Sequence, residues 1–148
     1  MTQPTWQGFL IHHSATTDST GVDLEIYRNY HTLSHGWQDI GYHFVIESVM
    51  GIPLAIMGRP TNRPGAHCPG KNNSHIGICF AGNYVTQTPP PPILLCGAKL
   101  IASLCYLTSI TPGPDTIEPH HKYRQTSCPG DLFPLTELIL QTQLLLHP

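Results

Sequence analysis

The chain has 148 residues, a formal net charge of −2 and only 11% charged residues. This length suits one domain with a buried core, so the sequence predicts a single domain over residues 1–148. The weak net charge argues against nucleic acid or an anionic membrane surface as partner, because both are bound through basic patches. Ten histidines favour metal binding or proton transfer.

The amino-terminal segment MTQPTWQGFLIHHSAT lacks a basic region followed by a long apolar run, so it is not typical of a signal peptide. No stretch approaches the roughly 18 uninterrupted apolar residues of a membrane span, which predicts a chain without membrane insertion. We therefore expect synthesis in the cytoplasm, although an exported protein whose signal had been removed would have the same sequence. Five cysteines favour reduced thiols, and four are interpreted as small core or surface residues: Cys68, Cys79, Cys96 and Cys105.

Apolar periodicity predicts four strands and three helices. Short runs of apolar and β-branched residues are typical of strands, and an apolar period near 3.6 is typical of helices packed by one face. A turn near Met50 and Gly51 predicts a hairpin. In chain order the predictions are a strand over 9–12, a helix over 23–34, hairpin strands over 41–47 and 52–57, a strand over 76–81, and helices over 93–107 and 135–146.

This order predicts an α/β fold, a single domain with a mixed central β-sheet flanked by about three helices. The first strand would deliver His12 to its carboxyl end. Between the third and fourth strands, the segment RPTNRPGAHCPGKNNS is rich in proline and glycine and must form a long ordered loop. Such loops commonly carry function.

Two adjacent histidine pairs and a cysteine suggest a metal site. His12 ends the first predicted strand and His13 follows it, His120 and His121 lie in the last third of the chain, and Cys128 follows them. One histidine from each pair and Cys128 would supply the three protein ligands of a catalytic zinc, with water in the fourth position. The sequence thus predicts one Zn²⁺ per chain, and the spacing alone leaves open which histidine of each pair binds it.

Four motifs carry a more specific signal: FLIHHSAT, GWQDIGYHFVIE, GAHCPGKNNSHIGICFAGNY and HHKYRQTSCPGD. In this order they resemble the zinc-dependent type 2 N-acetylmuramoyl-L-alanine amidases, a family that includes short phage lysozymes and the peptidoglycan recognition proteins. The resemblance spans roughly residues 9 to 132. It implies a zinc hydrolase that cleaves the amide between N-acetylmuramic acid and L-alanine in peptidoglycan, with His12, His120 and Cys128 as the zinc ligands.

The resemblance also implies two catalytic residues. Tyr42 matches the family's catalytic tyrosine, whose hydroxyl can donate a hydrogen bond to charge that develops in the transition state. Thr126 lies where some phage members carry a lysine, and its hydroxyl can hold a water or an oxyanion without bringing charge. A packed strand tyrosine and an ordinary loop threonine are the structural alternatives.

Polar residues of the substrate groove follow from the same resemblance. His67 and Asn72 are predicted to bind substrate, and Asn83 matches another polar position. Apart from the resemblance, Arg59 is predicted to bind substrate because its guanidinium could pair with a peptide carboxylate in bidentate fashion. Loop-stabilising turns are the alternative for the asparagines, and a solvated surface position is the alternative for Arg59. His31 and Trp37 fit the family pattern and are interpreted as packing residues.

Three other functions remain open at this point. A non-catalytic peptidoglycan-binding module would share the fold, although loss of catalysis in this family usually accompanies loss of the zinc cysteine. A cysteine hydrolase using Cys128 and His120 is chemically feasible but leaves His12 without a role. A cytosolic amidase that recycles muropeptides would resemble this fold with an aspartate as third ligand.

Cys128 therefore favours the lytic branch of the family. We expect a phage or prophage endolysin that acts on the bacterial cell wall after release by a partner holin. The expected partner is peptidoglycan or a muropeptide, with no nucleic acid, and a monomer is compatible with the sequence.

Overall fold

The computed structural model describes residues 2–147 and contains one five-stranded sheet and three α-helices. The elements are β1 Gly8–His13, α1 Asp23–Asn29, β2 Phe44–Val49, β3 Ile52–Met57, β4 His75–Phe80, α2 Pro91–Thr108, β5 Ile117–Pro119 and α3 Leu135–Leu146. The strands lie in the order β3-β2-β4-β1-β5. The β2–β3 pair is antiparallel, whereas β4 pairs in parallel with β2 and β1, and β1 with β5.

The helices cover the two faces of the sheet unequally. On one face α2 and α3 pack over alternate residues of the central strands, such as Phe9, Ile11 and Ile78. On the other face α1 packs Leu24 and Tyr27 over the strand residues that point in the opposite direction, which include Val45, Cys79 and Ala81. The side of the sheet that carries α1 is less completely covered, and the candidate site lies there.

A buried carboxylate holds α1 against the sheet. Glu47 of β2 accepts hydrogen bonds from the backbone N–H groups of Asp23 and Leu24, each at 2.9 Å. These are two of the N–H groups that the first turn of a helix leaves without an intrahelical partner. Burial raises the pKa of Glu47, while the two hydrogen bonds oppose this shift.

The predicted α/β class, with a mixed sheet and three helices, is confirmed. The structure differs from the predictions in several places. The first strand of the hairpin begins at Phe44 rather than at 41, because the chain up to His43 is a loop. The second half of the helix predicted over 23–34 is a π-helical turn, Tyr30–Ser34. Strand β5 was not predicted, because its three residues include a proline and have no apolar alternation.

Helix α2 is longer than predicted, with 18 residues and Lys99 as its only charge. Its length and hydropathy would allow it to cross a membrane. In this fold, however, Ile93, Ala98 and Ile101 are buried against the sheet, as expected for the core helix of a globular domain.

Candidate metal centre

Strand alternation separates the two histidines of the first pair. Successive side chains of a strand point to opposite faces, so His12 and His13 cannot lie at the same site. His12 points to the face that carries α1 and is 1% exposed. His13 points the other way, where its Nδ1 accepts a hydrogen bond from the Tyr84 backbone at 3.1 Å.

Strand β5 brings the second pair beside the first. It pairs in parallel with β1 and ends at Pro119, so His120 follows directly in a short 3₁₀ turn. The ring centroids of His12 and His120 are 4.4 Å apart. The side chain of His121 is exposed, and its backbone N–H donates to the carbonyl of Cys128 at 2.9 Å.

Cys128 completes a three-residue cluster with His12 and His120. One ligand atom from each of these residues lies within 4.8 Å of the others. The His12 Nδ1 to Cys128 Sγ distance is 3.8 Å, close to the about 3.3–3.6 Å that separates two ligand atoms bound to one tetrahedral zinc. The structure thus selects one histidine from each pair.

The cluster fits a zinc ion by its chemistry as well as its spacing. Two imidazoles and one thiol form a donor set typical of catalytic zinc, with one coordination position left for water. In addition, Nδ1 of His120 is buried and has no hydrogen-bond partner within residues 2–147. A buried polar atom of this kind is costly unless a ligand satisfies it, and a metal ion would do so.

The ionisable groups of the cluster are held in their neutral forms. Burial, followed by the neighbouring His67 and His120, holds the pKa of His12 well below its usual value. Burial also lowers the pKa of His120. The same desolvation raises the pKa of the Cys128 thiol to about 12, and the His13 N–H only partly opposes it. Neutral imidazoles are ready to bind a metal, whereas the Cys128 thiol must release its proton when a metal ion binds.

Tyr42 lies beside this cluster in the loop before β2. Its ring centroid is 5.2 Å from that of His12 and 5.4 Å from that of His31. Burial raises the pKa of Tyr42 well above its usual value, and the nearby thiols of Cys79 and Cys128 add to this shift. The phenol therefore keeps its proton at neutral pH and can act as a hydrogen-bond donor.

Thr126 belongs to the loop that carries Cys128. Its Oγ1 accepts a hydrogen bond from the Cys128 backbone N–H at 3.2 Å, which helps to set the position of the thiol. The residue is exposed, and its own hydroxyl hydrogen remains able to donate. The structure thus places Thr126 next to the cluster, and its catalytic role stays a prediction.

The polar groups of the predicted substrate-binding residues have partners within the protein. Arg59 donates to three backbone carbonyls, those of Ile40, Pro64 and Asp39. Asn72 Oδ1 accepts from the backbone N–H groups of His67 and Cys68, each at 2.9 Å. Likewise, the side chain of Asn83 accepts from the Val85 N–H. These contacts stabilise loops, and contact with substrate remains a prediction for Arg59 and Asn72.

His67 lies beneath the cluster. Its Nδ1 is 2.9 Å from His12 Nε2 and its Nε2 is 3.0 Å from the carbonyl of His75. Burial, followed by the neighbouring His43, lowers the pKa of His67 to about 3. The motif placed His67 near the site. His43 and His75, which contact His67, lie in the same quoted motifs, but the sequence assigned them no role.

A cavity of about 450 Å³ adjoins Tyr42 on the α1 side. Its walls offer hydroxyl groups from the loop after β1 and aromatic rings from α1 and the π-helical turn. Surfaces with few charges and many hydroxyl and aromatic groups suit a neutral glycopeptide. The lining residues are Ser14, Thr16, Thr17, Ser19, Asp23, Ile26, Tyr27, Tyr30, His31 and Tyr42.

His31, which lines this cavity, packs against Trp37. Their ring centroids are 4.9 Å apart, and His31 Nδ1 accepts from the Gly41 backbone N–H at 3.0 Å. The hydrogen bond ties the π-helical turn to the loop that leads to Tyr42. Trp37 is 39% exposed, so part of its ring faces solvent.

Comparison with known proteins assigns the chain to a family. The sequence profile of the Amidase_2 family, described as N-acetylmuramoyl-L-alanine amidase, matches residues 2–131. The chain is 32% identical over 127 residues to peptidoglycan-recognition protein LB of Drosophila melanogaster, covering 82% of this chain and 53% of that protein. It is 37% identical over 103 residues to peptidoglycan recognition protein 1 of Bos taurus, covering 69% of this chain and 52% of that protein.

Solved structures agree with this assignment. The N-acetylmuramoyl-L-alanine amidase LysC from Clostridium intestinale superposes with a TM-score of 0.78 at 28% identity, covering 93% of this chain and 85% of that chain. Drosophila PGRP-LB in complex with tracheal cytotoxin gives a TM-score of 0.78 at 29% identity, covering 92% of this chain and 81% of that chain. The endolysin amidase LysCS from Clostridium intestinale gives a TM-score of 0.74 at 28% identity, covering 93% of this chain and 83% of that chain.

The chain therefore belongs to the type 2 N-acetylmuramoyl-L-alanine amidase and peptidoglycan recognition protein family. It spans about half to two thirds of the length of the curated relatives it matches.

Proposed function

We propose that this protein is a zinc-dependent N-acetylmuramoyl-L-alanine amidase, which hydrolyses the amide between N-acetylmuramic acid and L-alanine. The observation that carries the proposal is the convergence of His12, His120 and Cys128 from three separate segments, together with the unpartnered Nδ1 of His120. A binding module would not need a complete set of three zinc ligands. The relatives named as amidases support the same conclusion.

The residues that would hold the zinc are His12, His120 and Cys128. When bound, zinc supplies a Lewis acid that polarises a carbonyl and lowers the pKa of water toward neutrality. The protonated hydroxyl of Tyr42 would donate to the oxygen of the attacked carbonyl as negative charge develops there. Burial keeps this hydroxyl protonated, so the donor is available at neutral pH.

The proton released during hydrolysis needs a carrier. Glu118, the carboxylate closest in sequence to His120, already accepts hydrogen bonds from His75 and Tyr123 and pairs with Lys122. It is therefore poorly suited to act as a general base. Thr126 and a histidine of the site are the groups proposed to move the proton.

Two rival functions are less well supported by the same geometry. A cysteine hydrolase needs a thiolate, but burial raises the pKa of the Cys128 thiol to about 12. A muropeptide-recycling amidase would resemble this fold with an aspartate in the position of Cys128. A non-catalytic peptidoglycan-binding module is the alternative that needs direct measurement, because relatives of this chain include recognition proteins.

We further propose that the enzyme acts lytically on the bacterial cell wall, as an endolysin does. Support comes from the structural similarity to LysCS, which is described as an endolysin. Synthesis in the cytoplasm and release by a holin belong to this proposal. The turbidity of a suspension of bacterial cells, measured after addition of the protein with and without permeabilisation of the membrane, tests this proposal. Lysis of intact cells means that the protein reaches the cell wall from outside, whereas lysis only after permeabilisation means that access across the membrane is limiting.

The decisive experiment is digestion of purified peptidoglycan with the zinc-loaded protein, with and without a chelator. We expect new amino termini on L-alanine and no new reducing sugar ends, because none of the described residues 2–147 places a carboxylate pair suited to glycosidase chemistry beside His12, His120 and Cys128. Chelation should stop the reaction and added zinc should restore it. The Cys128→Ala protein, prepared in parallel, controls for contaminating hydrolases. Binding of peptidoglycan without release of alanine amines would favour the binding module.

A further inference from the structure

The imidazole of His67 occupies a slot formed by two glycines beneath His12. A Cβ added at Gly77 of β4 would lie 2.5 Å from Cδ2 of His67, and a Cβ on Gly65 would also overlap the ring. Only residues without a side chain leave room for an imidazole at this depth in the fold. The ring is thus positioned by backbone on two sides.

Hydrogen bonds fix the orientation of this ring. The carbonyl of His75 can only accept, so Nε2 of His67, at 3.0 Å, must carry a hydrogen. In the neutral ring Nδ1 is then an acceptor, and the group facing it at 2.9 Å is Nε2 of His12. His12 must therefore carry its hydrogen on Nε2.

This arrangement decides which nitrogen of His12 is free. With the hydrogen on Nε2, the Nδ1 of His12 has an unshared electron pair, and this atom is the one 3.8 Å from Cys128 Sγ. A metal ligand must present an unprotonated nitrogen, and the hydrogen bond at the other nitrogen determines which one it is. Through His67, the carbonyl of His75 thus determines which nitrogen of His12 carries the hydrogen.

His75, whose carbonyl accepts the hydrogen bond from His67, is itself held in place. The side chain of His75 is held by Glu118 through Nε2 at 3.0 Å and by Ser74 Oγ at Nδ1 at 2.8 Å. On the loop side, Asn72 accepts from the backbone N–H of His67 at 2.9 Å. The hydrogen-bonded series from the His75 carbonyl through His67 to His12 is therefore restrained at His75 and at His67, which limits rotation of the His12 ring.

We infer that His67 is a positioning residue that holds the metal ligand His12 in its Nε2–H tautomer and orientation, rather than a residue that contacts substrate. This inference rests on the proposed zinc function and differs from the substrate-groove role that the family resemblance implied for His67. A substrate contact would need an imidazole nitrogen free to face the groove. Both nitrogens of His67 are instead committed to protein partners.

Two substitutions separate the two nitrogens of His67. In His67→Asn the amide oxygen lies near the position of Nδ1 and can still accept from His12, but the bond to His75 is lost. In His67→Gln the amide lies near the position of Nε2 and can still bond His75, but the acceptor facing His12 is lost. The pair is matched in chemistry and differs in which hydrogen bond survives.

Zinc affinity of the full chain, measured by competition with a chromogenic chelator, is the main readout. We expect His67→Gln to bind zinc about 10- to 100-fold more weakly than wild type, as for other residues that orient a metal ligand, and His67→Asn to lose less. A Gln variant within about threefold of wild type, or an Asn variant as weak as the Gln variant, would overturn the inference. A rise in KM with unchanged zinc affinity would point to substrate contact and would also overturn it.

A second measurement needs no variant and no substrate. Nitrogen-15 NMR of the zinc-loaded wild-type protein reports which imidazole nitrogen of each histidine carries a hydrogen. We expect Nε2–H on both His12 and His67, whereas a hydrogen on Nδ1 of either residue would overturn the inference. Because neither measurement uses turnover, a protein that binds zinc but does not hydrolyse peptidoglycan would refute the proposed function and leave this inference standing.

Discussion

The backbone N–H of His13 donates a hydrogen bond to Sγ of Cys128 at 3.3 Å, joining residues 115 positions apart in the sequence. His13, which follows the candidate zinc ligand His12, thus contacts Cys128, another candidate ligand. A backbone N–H directed at sulfur favours the thiolate form over the thiol. The contact also ties the loop of Cys128 to β1, which keeps the ligands together before any metal binds.

Cys128→Ala should remove zinc binding. We expect the wild-type protein to retain about one zinc per chain and the variant to retain little, because a site with two histidines has lost its charged ligand. Metal analysis after dialysis against a weak chelator measures the difference. Cys96→Ala is the matched control, since Cys96 lies on α2 on the opposite side of the sheet. Equal zinc in wild type and Cys128→Ala would remove this residue from the ligand set.

Tyr42→Phe should lower turnover while leaving zinc content unchanged. If the hydroxyl donates to the developing oxyanion, kcat should fall by about 10²- to 10³-fold, as for loss of one such donor. KM should change little, because the ring that packs against His12 and His31 remains. Steady-state kinetics on a soluble muropeptide provides the measurement.

Tyr84→Phe is the control for loss of a buried hydroxyl. The Tyr84 hydroxyl donates to the carbonyl of Ala81 within the core, so its removal should cost about 1 kcal/mol of stability without affecting turnover. Near-normal turnover in Tyr42→Phe would show that Tyr42 serves packing alone.

His43 should make the stability of the metal-free protein depend on pH. Burial lowers the pKa of His43 from 6.5 to about 4, and the hydrogen bond to the Arg63 carbonyl only partly opposes it. The unfolded chain therefore binds this proton at a higher pH than the folded chain does. The contribution of neutral His43 to the free energy of unfolding is complete above pH 6.5 and is lost as the pH falls toward 4.

In this pH window, His43→Gln should reduce the slope of unfolding free energy against pH by about 1.4 kcal/mol per pH unit. Urea titrations at several pH values measure the slope. His121→Gln, which changes an exposed histidine, is the control and should follow wild type. An unchanged slope in His43→Gln would mean that other groups account for the acid sensitivity.

Glu118→Gln should destabilise the fold. The buried carboxylate of Glu118 accepts from His75 and Tyr123 and pairs with Lys122, whereas an amide has one oxygen and two N–H groups. If the amide oxygen replaces Oε2, it still accepts from His75 and Tyr123, but the amide N–H groups then face the ammonium of Lys122; in the opposite orientation His75 and Tyr123 lose their acceptor. Either orientation loses hydrogen bonds of the buried carboxylate, which costs about 1–3 kcal/mol. Urea unfolding at neutral pH measures the loss, and Glu137→Gln on the exposed face of α3 should leave stability within about 0.5 kcal/mol of wild type.

Much of the architecture was accessible from local sequence patterns. The apolar spacing of the last helix predicted residues 135–146, and the structure has Leu135–Leu146. The turn at Met50 and Gly51 was also predicted, and both residues have the positive φ that a tight hairpin turn requires. These features depend on contacts within a few residues of chain, so the sequence specifies them directly.

The composition of the metal cluster required the tertiary structure. Strand alternation alone establishes that His12 and His13 face opposite ways, but which face carries the site depends on where α1 and α2 pack. Similarly, β5 is too short to leave a pattern, and it forms because β1 offers it a parallel partner. The position of His120 beside His12 follows from that pairing.

The sequence by itself indicated the family, predicted the chain order of four of the five strands and of the three helices, and supplied the residue types available for zinc. Only the tertiary structure decided how Arg59, Asn72 and His67 use their polar groups. Each of these side chains bonds to backbone or to another side chain that lies close only after folding. A buried polar group takes whichever partner the fold brings to it, and such partners leave no periodic signal in the chain.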